Sequence, residues 1–152
     1  MGDATAMIAQ TIQLAIAPVF VLVAIGAIIN VLTTRLGRVV DRWRDLQAIF
    51  ADTTGTEHDQ IVREIRIIDQ RLVIINKAIL MLVLTALSVG ATIVVLFVDE
   101  FLHIGLQPVA AGTFILAVGL LMWALILFLR ETRIATAALK IPDFYLEPDR
   151  KL

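Results

Sequence analysis

Lys77, Met81, Thr85, Ser88, Thr92 and Asp99 recur along one apolar stretch at spacings of three, four and seven residues. Wound at ~100° per residue, they fall within an arc of about 80°. The resulting stripe runs from a basic residue through three hydroxyls to an acid. In a ring of copies it would line a pore with an acidic mouth that favours cations, and Asn30 on another apolar stretch would serve as a second lining candidate. The competing reading is helix contact, because Ser and Thr in apolar helices bond the carbonyl four residues back and small polar groups sit between packed helices. No carboxylate or histidine lies in the middle of an apolar stretch, which counts against proton-coupled transport.

A second constellation is basic. Arg35, Arg38, Lys77, Arg130 and Arg133 stand just beyond the ends of the apolar stretches, where cations meet anionic lipid headgroups. The plainer alternative is that they fix orientation and pair with Asp41 and Glu131. Asp99, Glu100 and His103 have metal-compatible side chains, but a short loop gives them neither fixed geometry nor supporting partners, so no metal is expected. No phosphate-binding glycine loop, Ser/His/acid set or zinc spacing is present, so the chain reads as neither an enzyme nor a cofactor carrier. Zero cysteines exclude thiol chemistry and disulfides, and a net charge of -1 argues against a nucleic-acid partner.

The elements that carry these residues follow from hydropathy. The chain is 59% hydrophobic, well above the ~45 to 50% of soluble proteins. Three runs, Leu14 to Leu32, Ala78 to Val98 and Val109 to Leu129, are each about 20 residues long, enough to cross the ~30 Å hydrocarbon core as helices. All 13 Lys and Arg residues lie in 33–77 or 130–152. Basic residues near membrane ends stay cytoplasmic, so segment 1–13 and loop 99–108 are expected outside, with 33–77 and 130–152 inside. The predicted fold is therefore all-α: transmembrane helices over 14–32, 78–98 and 109–129, amino terminus outside and carboxyl terminus inside. Segment 1–13 has no basic region of the signal-peptide kind, so the first run is expected to stay in the protein. Pro18 is expected to kink it.

Residues 33–77 read as a cytosolic helical hairpin continuous with the first two membrane helices. Leu36, Val39, Val40, Trp43, Leu46 and Phe50 share one face of the first arm, 33–52. Ile61, Ile65, Ile68, Leu72 and Ile75 form a heptad seam on the second, 57–76. Thr53 to Thr56 forms the predicted turn, with Thr56 capping the second arm and Glu57 and Asp59 beside its positive end. His58 is expected to be solvated near the tip, and Trp43 to sit in the core of the hairpin or of an oligomer. Two arms leave their seams half covered, and Val23, Gly26 and Asn30 give the first membrane helix a narrow approachable face. Both features predict a homo-oligomer. Trp123, on a stripe with Gly112, Leu116 and Gly119, reads as packing. The third helix is expected to continue through Arg130, Glu131 and Arg133 until Pro142 stops it, leaving an aromatic segment over 142–146 that is disordered by default.

Several of these residues stand in recognisable order: Pro18-Val-Phe, Ile25-Gly26, Asn30-Val-Leu-Thr-Thr-Arg35-Leu-Gly-Arg38-Val-Val-Asp41-Arg42, Ile75-Asn76-Lys-Ala-Ile79 and Leu127-Phe-Leu-Arg130-Glu131-Thr-Arg133. Over nearly its whole length the chain resembles domain-of-unknown-function family 2721, a group of small bacterial inner-membrane proteins. Gln70 departs from the pattern, standing where a basic residue is expected. The resemblance implies a bacterial cytoplasmic membrane location and the same three-helix layout, and it brings no activity. On sequence grounds the leading reading is a homo-oligomeric small-ion pore lined by the second membrane helix or by the first around Asn30, and the alternative is a non-conducting scaffold or accessory subunit whose hairpin binds a protein partner.

Overall fold

The computed structural model describes residues 2–137, with side chains placed for 12, 13 and 15–137. The expectations for Pro142 and the aromatic segment after it lie outside the described residues. Three helices account for almost all of the described chain: α1 (Gly2–Phe50), α2 (Gly55–Leu102) and α3 (Gln107–Ala137). Each contains a stretch long and apolar enough to cross a membrane. α1 has 49 residues and α2 has 48, about 70 Å each at ~1.5 Å per residue. Each is therefore one uninterrupted rod that carries an apolar half and a charged hairpin half. α1 stays helical through Pro18.

One heptad register organises all three helices. Ile25, Leu32, Val39 and Leu46 on α1 are buried at steps of seven. On α2 the series Ile61, Ile68, Ile75, Leu82 and Val89 is interleaved with Ala78, Thr85 and Thr92. On α3, Ala110, Ala117 and Ala124 occupy the buried positions, and Glu131 takes the next step. Apolar residues every 3.5 positions on average keep two helices in contact as they wrap round one another. The seam expected for the hairpin thus extends through the apolar half. α2 is the central element, packing on both α1 and α3, and Ile25 and Leu32 from the apolar half of α1 share one buried cluster with Leu82 of α2 and Ala124 of α3. Alanines on α3 let its backbone approach α2 closely, the small-residue packing of membrane helices.

The hairpin turn differs in register from the sequence expectation. α1 ends at Phe50 and α2 starts at Gly55, so Thr54 rather than Thr56 holds the N-cap position, with φ -142° and ψ 159° and no side-chain cap bond. Gly55 has φ +66°, a left-handed conformation that only glycine adopts without steric cost. Glu57 still lies in the first turn of α2, beside the positive helix end. Thr53 Oγ1 donates to Phe50 O at 3.2 Å, and the Phe50 and His58 rings meet in a tilted contact, 4.6 Å between centroids and 52° between planes. His58 is consequently half-buried rather than solvated. At the other end of α2, His103 adopts φ 52° and its N–H reaches Asp99 O at 2.8 Å. Asp99 Oδ1 accepts the Leu106 N–H at 2.7 Å, so this carboxylate is used to hold the α2–α3 loop.

Candidate functional site at the basic boundary

Glu131 is fully buried, with none of its surface exposed. It lies in the first turns of α3 beyond the apolar run, at a register position that alanine fills three times before it. Burying a carboxylate without partners is prohibitively costly, and here two arginines from different helices answer it. Arg35 of α1 donates from Nη1 to Glu131 Oε2 at 2.7 Å. Arg71 of α2 donates to Oε1 from Nη2 at 2.8 Å and from Nε at 3.2 Å. Both carboxylate oxygens are thereby satisfied, and the three helices are tied together at one point. Arg35 is fixed further by Thr132 Oγ1, which accepts from Nη1 at 3.4 Å, and by the Phe128 ring, 5.2 Å from its guanidinium carbon.

The expected pairing of this basic cluster with Glu131 is thus present for Arg35. Asp41 takes no part in an ion pair among the described residues. Arg38, Lys77, Arg130 and Arg133 are all exposed, and none of them forms an ion pair among the described residues. Arg71 was not singled out by the sequence reading, although it completes the site. The missed signal was the register: Glu131 continues the seven-residue series of Ala110, Ala117 and Ala124, and an acid on a buried stripe demands cations from the facing helices. Farther along the hairpin, Arg42 grips Glu64 with two bonds, Nε to Oε1 at 2.7 Å and Nη2 to Oε2 at 3.0 Å. Hydrogen bonding to Glu64 raises the Arg42 guanidinium above its usual value. That pair is solvent-exposed and worth only ~0.2–1 kcal/mol.

The hydroxyl stripe of α2 is used inside the subunit. Thr85 and Thr92 are buried and Ser88 is half-buried. Ser88 Oγ donates to Thr113 O at 2.9 Å, and Thr92 Oγ1 meets Thr113 Oγ1 at 2.8 Å, so these side chains form the polar part of the α2–α3 contact. Thr85 Oγ1 bonds Met81 O at 2.7 Å and Thr92 Oγ1 bonds Ser88 O at 3.0 Å, the four-back pattern typical of apolar helices. Lys77 is exposed while Thr85 is buried, so the stripe does not form one continuous surface. Asn30 is exposed on α1, and its carbonyl accepts from Thr33 and Thr34.

Of the packing candidates, Leu46, Ile61 and Ile68 are buried, Ile65 and Leu72 are packed at the margin of the core, and Trp43 and Phe50 are 39% and 40% exposed. Trp43 is therefore not in the hairpin core of a single subunit. Trp123 and Leu116 also face outward, and a Cβ added at Gly112 or Gly119 would meet nothing within 4 Å. That stripe packs on nothing within the subunit. Among the described residues, no three His, Cys, Asp or Glu side chains are grouped to hold a metal ion.

The profile of a family described as "Protein of unknown function (DUF2721)" matches residues 15–141. No curated protein and no solved structure matches the chain.

Proposed function

The chain belongs to the DUF2721 family, and from the way its polar membrane side chains are spent within one subunit we propose that it acts as a non-conducting membrane scaffold or accessory subunit. The observation that supports this reading is the bonding of Ser88 and Thr92 to Thr113, which gives these two hydroxyls partners on α3 within the subunit and so favours helix contact over pore lining. The hairpin supplies the docking element: Trp43, Ile49 and Phe50 remain substantially exposed on it, and exposed aromatic and aliphatic groups of this kind mark protein contacts. In this reading the hairpin and carboxyl tail lie in the cytosol of a bacterium and the amino terminus lies outside, following the distribution of basic residues. Arg38, Lys77, Arg130 and Arg133 then face anionic headgroups at the inner leaflet.

The absence of native cysteine makes the test direct. Thr85→Cys, Ser88→Cys and Thr92→Cys, each in membranes, are expected to resist a membrane-impermeant thiol reagent, while Lys77→Cys reacts. Rapid labelling of all three hydroxyl positions would return them to a water-filled path and defeat the scaffold.

We further propose that copies associate through α1. Val23 is 67% exposed and Gly26 has open space where a Cβ would stand, leaving a face with Asn30 that is unoccupied within the subunit. The small-ion pore retains this one observation, because copies arranged about that face would place Asn30 at a constriction. Gly26→Ile is expected to shift the protein toward monomer in detergent by sedimentation, since small-residue contacts tolerate no added bulk. An unchanged mass would exclude this face.

A further inference from the structure

A cleft of about 690 Å³ lies between the hairpin arms, and four arginines, Arg38, Arg42, Arg63 and Arg71, line it together with the single carboxylate of Glu64. That volume falls in the ~300–1,000 Å³ range of small-molecule sites. The cleft is built on a rigid floor, since Val39 and Ile68 beneath it belong to the buried heptad seam. Arg38 and Arg42 sit one helical turn apart on α1, facing the row of Arg63, Ile67 and Arg71 at steps of four on α2.

The internal bonding leaves this cleft short of negative charge. Glu64 is taken by Arg42, and Arg71 by Glu131 behind the cleft. Arg63 uses only Nε, donating to Asp59 O at 3.3 Å. Arg38 forms no hydrogen bond or ion pair among the described residues. Two guanidinium groups therefore retain most of their donors while standing among other cations, an arrangement that an anion relieves. Guanidinium forks match phosphate oxygens two at a time, and a phosphate monoester carries up to two negative charges near neutral pH. A lipid phosphodiester offers the same oxygens with one negative charge, and a soluble monoester or pyrophosphate adds charge to that shared geometry.

We propose that this cleft binds a phosphate-bearing anion. The inference does not depend on the scaffold reading. Two sources share the chemistry. Arg38 is six residues past Leu32, the end of the first apolar run, about 9 Å at ~1.5 Å per residue, so a lipid phosphate reaches the end of the cleft formed by Arg38 and Arg71. Arg63 lies farther along the hairpin, where only a soluble phosphorylated molecule would meet it.

The test uses the full chain in detergent with pyrophosphate as the soluble probe, followed by calorimetry, and in nanodiscs containing phosphatidylglycerol or only phosphatidylcholine, followed by lipid retention in native mass spectrometry. Arg38→Gln with Arg63→Gln removes two exposed side chains from the cleft, and Arg44→Gln with Arg66→Gln removes two exposed arginines outside it. Saturable pyrophosphate binding that weakens about tenfold or more in the first pair and is unchanged in the second supports the site with a soluble ligand. Selective phosphatidylglycerol retention lost with Arg38→Gln alone, and kept with Arg63→Gln alone, supports it with a lipid headgroup. Equal losses in both pairs of variants, or no binding of either probe, overturns the proposal.

Discussion

The double variant Arg35→Met, Arg71→Met is expected to lose about 3–5 kcal/mol of stability, the cost of stripping a buried charge of its partners. The magnitude follows from the asymmetry of the cluster. The Glu131 side chain has no exposed surface, whereas Arg35 and Arg71 keep 34% and 22% of theirs. Removing the carboxylate leaves cations that can turn toward water, so Glu131→Gln is expected to cost less than the double arginine change. Removing both cations leaves a carboxylate with nowhere to go, because it sits in the α2–α3 seam where the register places alanine. The triple variant that also carries Glu131→Leu should recover most of the loss, since an apolar group at an apolar register position requires no partner. Reversible unfolding in mixed micelles measures all three. A double-variant loss no larger than that of an exposed pair, ~0.2–1 kcal/mol, would show that these cations do not hold Glu131.

The cluster also shows which links are visible in a sequence. Hydropathy run length and the placement of Lys and Arg depend only on the order of residues along the chain, and the three long helices appear where the runs predict them. The hairpin seam was legible because Ile and Leu at steps of three and four have few other uses. The α2–α3 contact was harder to read, since alanine is equally at home facing lipid or facing a helix, and only its recurrence at 110, 117 and 124 marks a buried stripe. The hydroxyls of Thr85, Ser88 and Thr92 were visible as a stripe, but their partner Thr113 lies on another helix, and choosing between lining and contact requires the register of α3. The turn was displaced for a local reason: Gly55 accepts a left-handed conformation, which allows α2 to begin before the Thr56 cap that the sequence suggested. Trp43 illustrates the opposite limit, because an aromatic on an amphipathic face reads as core until it is known how many helices share that face.

Ala117→Leu is expected to cost about 1–3 kcal/mol or more through overpacking, while Gly119→Leu on the same helix leaves the fold of the subunit intact. Ala117 is 1% exposed and stands in the middle of the small-residue series against α2. Added volume there must push the helices apart, and separation lengthens the Ser88 and Thr92 bonds to Thr113 on the same contact. At Gly119 a new side chain meets open space, and replacing glycine in a helix interior is itself favourable by up to ~1 kcal/mol. The two positions are only two residues apart, so differences in insertion depth or local hydropathy cannot account for opposite outcomes. The unfolding midpoint in mixed micelles should therefore fall for Ala117→Leu and hold or rise for Gly119→Leu. Equal tolerance at both sites would contradict a close α2–α3 seam. Measuring mass in detergent alongside stability adds a second axis: if the parent self-associates as proposed and Gly119→Leu keeps its unfolding midpoint but loses that association, the outward Gly112–Trp123 stripe is a contact between copies, and if it keeps both, the proposed contact falls to the Gly26 face of α1 instead.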